Sequence, residues 1–479
     1  MSTVLLESLA AWWPETILSL GALMVITLGA FPATRRLVLP AAWLALAASA
    51  VALWHAPVPP PTATFFGLII CDPFSLAFRW LAWGTTALVM LLVTGSREVE
   101  SLLRGEYVGL LLFVAVGLML MAEASHLLMA YLAIEMVSLS TYLLVGLRRD
   151  DRGAEASLKY FLFGALASGI MLFGMSLLFG LTGSLSFASL REATAGLDGS
   201  LRGALVIAVT LMLAGLGFKI SMVPFHLWTP DAYEGAPVPV TALLSVGPKA
   251  AGLALFVRLM DALAPAWPAL EPLVLSLTMV TMTFGNLVAL VQTNVKRLLA
   301  YSTIAQVGYL LIGFIVNTRL GLEALIVYLA AYLFMNLGAF ACVVAVVQDT
   351  GRESLDAFRG LAKRSPVLAV LTTLFLLSLA GIPPLLGFVG KFLLFGAAIQ
   401  AGYVALAVVG VVNSTVALYY YVRIIREMYL QAPDSPGMLR PAPALRLAAA
   451  VCGAGTLGLG LFPGILLSLA GLAATVNLL

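Results

Sequence analysis

Charge is what this chain has least of. Asp, Glu, Lys and Arg make up 10% of its 479 residues, against about 25% in soluble domains. That excludes a water-soluble fold, and a net charge of +3 is too small to point to nucleic acid. Cysteine is almost as scarce. Cys71, Cys342 and Cys452 stand far apart, odd in number and without a CxxC pair, so they offer neither a disulfide framework nor a zinc or iron–sulfur spacing. The three histidines, His55, His126 and His226, are scattered too, which speaks against haem or a metal site. No P-loop, catalytic triad or flavin signature occurs. One GxGxxG match, GAGTLG at 453–458, lies inside an apolar run with no strand before it, and close helix packing through small residues explains it. The opening MSTVLLESLAAWW contains Glu7 and no basic stretch, so it does not read as a cleaved signal and the first helix is expected to be retained.

What the chain has instead is apolar length. It is 62% hydrophobic with mean hydropathy +1.05. A spanning helix needs about 20 apolar residues. Such segments fall near 15–31, 37–55, 73–95, 107–123, 126–146, 155–181, 203–223, 238–261, 270–292, 297–316, 320–348, 365–398, 403–429 and 443–476. The expected fold is an all-α polytopic membrane protein with about 14 transmembrane helices. The joins are short and rich in proline and glycine, as in APVPPPTAT at 56–64 and QAPDSPGMLRPAP at 431–443. Counted with the first turn of the segment that follows, the loops after odd-numbered segments hold 15 Lys and Arg, and those after even-numbered ones hold 3. The positive-inside rule therefore puts the odd loops in the cytoplasm and both termini on the other side.

Two stretches read as diverged copies. LAGLGFKISMVPF at 213–225 lies in segment 7 and LAGIPPLLGFVGKF at 379–392 in segment 12. Each begins Leu-Ala-Gly, is interrupted by proline and holds a lysine, although the lysines do not align. Lying five segments apart gives them opposite directions. This predicts two inverted five-helix repeats, helices 4–8 and 9–13, with helices 7 and 12 broken, an arrangement that sets ion sites near the midplane. The domain boundaries follow: an N-terminal three-helix part at 1–106, repeats at 107–262 and 263–430, and a last helix at 431–479.

Against so little charge, intramembrane lysine is conspicuous. Of Lys159, Lys219, Lys249, Lys296, Lys363 and Lys391, three fall in helix interiors: Lys219, Lys249 and Lys391. Each costs roughly 2.5–3.5 kcal/mol at the bilayer centre on insertion scales. Snorkelling rescues lysines near helix ends. Lys249 lies about eleven residues from either end of its segment, roughly 16 Å from each surface, which is too far. Glu135, about nine residues into segment 5, needs a partner and is expected to pair with Lys219. An ammonium taken out of water gives up its proton more readily, and a neighbouring carboxylate holds it on. A thousandfold change in proton affinity is about 4 kcal/mol, while moving one charge through 100 mV takes about 2.3 kcal/mol. These magnitudes suit a proton pump. His226, after the Pro224 break, either feeds protons inward or caps the broken helix. Lys159 either snorkels or lies on a proton path. Ser138, Ser221, Tyr301, Ser302 and Tyr332 are candidates to hold water along a polar axis. His126 reads as interfacial, and Arg79, two turns from Asp72, as a local structural residue.

The residues that carry this pattern resemble a known family. GFKISMVPFHLWTPDAYEGAPVPV with Lys249 downstream, NLVALVQTNVKRLLAYSTIAQVGYLL at 286–311, LSLAGIPPLLGFVGKF at 377–392 and the segment around Glu135 are similar to the antiporter-like membrane subunits of proton-pumping NADH:quinone oxidoreductase. Lys391 stands where M-type members carry glutamate. The chain stops soon after segment 14, without the lateral helix of L-type members. Segment 11 has tyrosines and Asn336 in place of their central histidine. The resemblance implies one proton half-channel around Glu135 and Lys219, another around Lys391, and Lys249 between them. It implies no cofactor in this chain, with FMN, iron–sulfur clusters and quinone in partner subunits. The implied partners are other membrane-arm subunits, including the M-type antiporter-like subunit and small subunits, together with the lipid bilayer. The implied location is the bacterial inner membrane with both termini periplasmic. A sodium/proton antiporter subunit, which shares the lysine axis, and a membrane-bound hydrogenase subunit are the alternative readings.

Overall fold

A computed structural model describes residues 8–56, 62–100, 104–434 and 437–474. Glu7, Pro57 to Pro61 of the proline-rich join and the end of the last segment beyond 474 lie outside the described residues. Seventeen helices carry the architecture: α1 (Trp13–Ala30), α2 (Val38–Trp54), α3 (Pro73–Gly95), α4 (Arg104–Glu123), α5 (Leu127–Gly146), α6 (Asp151–Thr182), α7 (Arg202–Ile220), α8 (Trp228–Gly235), α9 (Val238–Ala262), α10 (Trp267–Ala289), α11 (Val295–Ile315), α12 (Arg319–Thr350), α13 (Pro366–Ala380), α14 (Leu386–Gln400), α15 (Val404–Leu430), α16 (Pro443–Leu461) and α17 (Gly464–Ala473). Among the described residues, 13 helical spans are long and apolar enough to cross a membrane. The fourteenth crossing is made by α13 and α14, 15 residues each. The expected single segment 365–398 is therefore two helices, and the last segment is broken as well, at Phe462 and Pro463. Segment 7 ends at Ile220, three residues earlier than its apolar run suggests.

Local chemistry sets these boundaries. Asp72 and Ser75 form a reciprocal capping box ahead of Pro73, with Ser75 N donating to Asp72 Oδ1 at 2.7 Å and Asp72 N to Ser75 Oγ at 2.9 Å. Such a cap satisfies the orphan amides of a first turn. Asn294 caps α11 by accepting from the amides of Lys296 and Arg297. Asp150 and Thr318 cap the two 32-residue helices α6 and α12.

The inverted repeats are legible in the spacing of these landmarks. One interval relates His126 to Asn294, Asp150 to Thr318 and Gly183 to Gly351. It also relates Ser186 to Ser354, and His126 bridges Ser186 as Asn294 bridges Ser354. A slightly shorter interval relates the two breaks. α7 ends on Ser221 in the left-handed region (φ 66°), and Met222 N returns to Gly217 O at 2.8 Å. α13 ends on Gly381 (φ 91°), and Ile382 N returns to Leu377 O at 3.0 Å. Both are left-handed C-caps that satisfy the last carbonyls and turn the chain. Glycine accepts that conformation freely and serine at a cost.

α9, α11 and α12 lie at the centre, and α2, α6 and α16 expose broad apolar faces at the rim. A helix that is apolar all round belongs inside, and the spanning window of α9 is fully buried. At the end of the bundle where α4 and α9 finish lies a short antiparallel hairpin, β1 (Thr62–Thr64) and β2 (Ile69–Cys71). Arg79, expected to be a local structural residue, makes its ion pairs at long range and not with Asp72, which lies about 10 Å back along the helix axis. Asp72 instead pairs with Arg258 at 2.7 Å, and Arg79 with Glu15 and Glu123.

Candidate functional site: a buried polar axis

Lys219, 1% exposed, stands two residues before the left-handed Ser221. Its stem lies against α9, where glycine makes room: a Cβ on Gly252 would sit 2.7 Å from Ile220 Cγ2 and 3.6 Å from Lys219 Cγ. Its Nζ donates to Ser138 Oγ at 3.0 Å and to the Ile134 carbonyl at 3.4 Å, both on α5. Glu135 does not meet it directly. The Glu135 carboxylate is half-buried at the edge of α5 and accepts a hydrogen bond from Ser168 of α6. The expected ion pair is thus an arrangement around one turn of α5, with the charges close enough to interact and a hydroxyl holding each. Beside it, Tyr142 packs edge-on to Tyr160 at 4.5 Å, and Tyr160 OH lies 3.2 Å from Thr141 Oγ1.

The break at 221–227 builds the next station. Thr229 Oγ1 donates to Ser221 Oγ at 2.8 Å, and Trp228 Nε1 to the Phe218 carbonyl at 3.0 Å. Trp228 stacks on Tyr160 at 4.1 Å. This fixes an aromatic wall for Lys249, whose Nζ lies 4.6 Å from the Trp228 ring centroid and 5.3 Å from that of Tyr233. Lys249 is fully buried and its Nζ has no hydrogen-bond partner. Aromatic faces are worth about 2 kcal/mol to a desolvated ammonium, less than the several kcal/mol that burying the charge costs. The aromatic wall therefore offsets only part of the cost of a charge at this position. His226 is also buried, edge-on to Phe284 at 4.7 Å, with Nδ1 unbonded.

From α9 a chain of buried side chains leads to the second break. Asn336 of α12 donates to Ser245 Oγ, one turn before Lys249, at 2.6 Å. Tyr332 OH donates to Thr303 Oγ1 at 2.9 Å, and Tyr328 OH to Gln306 Oε1. Gln306 Nε2 reaches the Leu379 carbonyl at 3.1 Å, and Ser302 Oγ lies 2.5 Å from Tyr421 OH. That same Leu379 carbonyl receives Lys391 Nζ at 3.0 Å, together with the Ala380 carbonyl at 3.1 Å and Ser414 Oγ at 2.7 Å. Tyr309 backs the ammonium at 4.3 Å and is held by Asn286 Nδ2 at 3.0 Å. By the interval that relates Ser221 to Gly381, Lys219 falls on Leu379 and Lys391 on Asp231. The two lysines thus come from opposite sides of equivalent breaks. Tyr301 lies at the half-exposed edge of α11, beside Ser302. Gln306, Tyr309, Tyr328, Tyr421 and Asn286 were not singled out by sequence reasoning. Ser302, Gln306 and Tyr309 at helical spacing on an apolar helix are the signal that marks them.

At one end of the bundle the axis is bounded by ion pairs. Lys159 meets Asp231 at 3.0 Å and Glu155 at 2.7 Å. Arg297 bonds both Asp231 and Glu234 at 2.8 Å. Lys296, fully buried, binds Glu353 and the Ala236 carbonyl at 2.8 Å each. Burial works against ionising Asp231, but Arg297 and Lys159 outweigh it and hold its carboxyl below the ordinary value. Glu353 is likewise held low against its burial, by Lys296, Asn294 and Arg148.

Comparison with known proteins shows the family and the fold. Residues 124–417 match the family described as NADH:quinone oxidoreductase/Mrp antiporter, transmembrane. The chain is 43% identical over 473 residues, 91% of its length and 90% of the relative's, to an NADH-quinone oxidoreductase subunit N of Anaeromyxobacter. It superposes on a chain of respiratory complex I from Thermus thermophilus with TM-score 0.81 and 35% identity, covering 96% of this chain and 99% of that one. A chain of the Mrp complex from Dietzia gives TM-score 0.84 at 25% identity, over 98% and 97%.

Proposed function

The chain belongs to the NADH:quinone oxidoreductase/Mrp antiporter family, on the subunit N branch, and from that premise we propose that Lys219, Lys249 and Lys391 carry protons in relay across the membrane. The chain is a proton-translocating membrane subunit of NADH:quinone oxidoreductase, driven by redox chemistry elsewhere in the complex. Its neighbours are other membrane-arm subunits, including the M-type one and small subunits, and the FMN, iron–sulfur and quinone chemistry lies in partner subunits. Its membrane is the bacterial inner membrane, with both termini on the periplasmic side. Residues 107–262 and 263–430 form the two half-channels.

One observation carries the reading: an unbonded, fully buried amine, Lys249 Nζ, lies between two lysines that are each hydrogen-bonded at a helix break. Moving the Glu135 carboxylate away from Lys219 weakens the attraction that keeps the Lys219 ammonium charged. The released proton passes by way of the break to Lys249, which has no competing hydrogen bond to give up. It then passes along the hydroxyl and amide chain of α11 and α12 to Lys391. His226 and Lys159 flank the inlet side of the first break, and Tyr332 and Tyr301 the α11–α12 route. Reconstituting the intact complex in vesicles and measuring proton uptake per NADH oxidised tests this. Lys249→Ala is expected to lose coupled uptake while the complex assembles; wild-type uptake in that variant ends the relay reading. The 43% identity to a subunit N against 25% to the Mrp chain favours the oxidoreductase over a free-standing sodium/proton antiporter, and sodium dependence of the uptake would reverse that choice.

A further inference from the structure

Away from the axis, a second buried ionisable cluster lies where α1, α3 and α4 meet. Arg79 gives Glu15 a two-pronged bond, Nε to Oε1 and Nη2 to Oε2, both 2.7 Å. Nη2 also reaches the Ala11 carbonyl at 3.2 Å. Glu123 receives much less. Its Oε1 lies 3.1 Å from Arg79 Nε, which is already engaged by Glu15, and 3.9 Å from Cys71 Sγ. Its Oε2 has no hydrogen-bond partner, although the residue is 0% exposed. The buried Trp12 indole N–H also has no hydrogen-bond partner.

The surrounding charges do not correct this. Arg258 of α9 is committed to Asp72 at 2.7 Å and to the Ala122 carbonyl at 2.6 Å. β2 contributes Cys71, and α2 contributes Ser49, which bonds the Pro14 carbonyl. His126, at the start of α5, accepts from the Leu128 amide in its own helix. Among the described residues Glu15, Glu123 and Asp72 thus share two arginines, and one negative charge is left over in a buried site. The hairpin closes the site from its open end: Ile69 pairs with Ala124, and Ser125 bonds the Leu68 and Gly67 carbonyls. A buried carboxylate without full pairing is among the most unfavourable arrangements in a fold. Placing a hydrogen on the unbonded oxygen removes the excess charge.

We propose that Glu123 holds a proton in the folded protein while Glu15 stays ionised against Arg79, so that this cluster is a proton-binding site separate from the lysine axis. A proton held only in the folded state stabilises that state at neutral pH. The contribution fades as rising pH strips the proton away.

Two isosteric variants of the intact complex separate the roles, with the thermal unfolding midpoint read at pH 7 and about pH 9. Glu123→Gln stands in for the protonated acid. Its midpoint is expected within about 2 °C of the parent, and its fall toward pH 9 is expected to be smaller than the parent's. Glu15→Gln strips Arg79 of its charge partner and is expected to lower the midpoint by about 5 °C or more. Equal losses in the two variants would show both acids ionised and overturn the proposal, as would an alkaline fall unchanged by Glu123→Gln. If Glu15→Gln does not assemble, the alkaline fall of Glu123→Gln against the parent decides alone. An infrared carboxylic-acid band missing from Glu123→Gln is the independent readout in support, and identical spectra overturn the proposal.

Discussion

The two helix breaks use one backbone device and arm it differently. At the first, the lysine precedes the break and bonds a neighbouring helix through Ser138 and a carbonyl, with a carboxylate one turn away. At the second, the lysine follows the break and reaches back to the two carbonyls that the break exposes, with Ser414 as its third partner. Nothing acidic stands at the place equivalent to Glu135, which Thr303 occupies. The first lysine therefore has a carboxylate close by on the helix it bonds, and the second is held by backbone carbonyl dipoles. A device that must react to a signal and a device that must pass on its product need not be identical, and inverted repeats let the two diverge on one scaffold.

The sharpest break of this comparison is Lys219→Ala. It is expected to reduce coupled proton uptake by at least tenfold with the complex assembled, measured as uptake per NADH oxidised. Glu135→Gln comes next: it keeps the Ser168 hydrogen bond but removes the charge. A partial loss of uptake is expected, whereas Thr303→Val at the equivalent place in the second repeat is expected to have a smaller effect. Similar effects of the two would erase the distinction drawn here. Ser138→Ala and Ser414→Ala then compare the hydroxyls. A hydrogen bond to a charged group is worth about 1.5–3 kcal/mol. Lys219 has one other partner, at 3.4 Å, and Lys391 has two near 3 Å. The rate loss from Ser138→Ala is therefore expected to exceed that from Ser414→Ala by a factor of about ten.

How much of this was legible beforehand follows from period and charge. Apolar runs of about twenty residues announce the spans, because nothing else in a chain of 10% charge competes with them. The breaks were legible through Pro224, Pro383 and Pro384, and the lysines through the cost of burying them. The boundary of α7 was not. Met222 and Val223 continue the apolar run, but the chain has already turned at Ser221, a residue type that does not advertise a left-handed conformation. The pairing of Glu135 was misread because helical position fixes a neighbourhood and not a rotamer: Ser138 and Ser168 intercept the two charges. The polar chain through Gln306, Tyr328 and Tyr421 joins three helices, and single hydroxyls and amides spread over separate spans carry no local signal. Arg79 shows the same limit. Its nearest acid in sequence is Asp72, and its partners are Glu15 and Glu123, on helices that only the fold brings near.

The smallest expected effect concerns the ionic rim that holds both repeats together. Asp231 carries this comparison too, since it occupies the position equivalent to Lys391 and is bound from both sides, by Lys159 of the first repeat and Arg297 of the second. Its carboxyl and that of Glu353 are held below their ordinary values of 3.8 and 4.5. Groups of this kind add stability above the unfolded value and lose it as pH falls through the folded one. The rim should therefore stay intact across neutral pH and give way only below about pH 4. Asp231→Asn is expected to lower the unfolding midpoint of the complex by a few °C at pH 7 and to flatten its decline in acid. A variant that instead declined more steeply in acid than the parent would show that these pairs do not hold the repeats together.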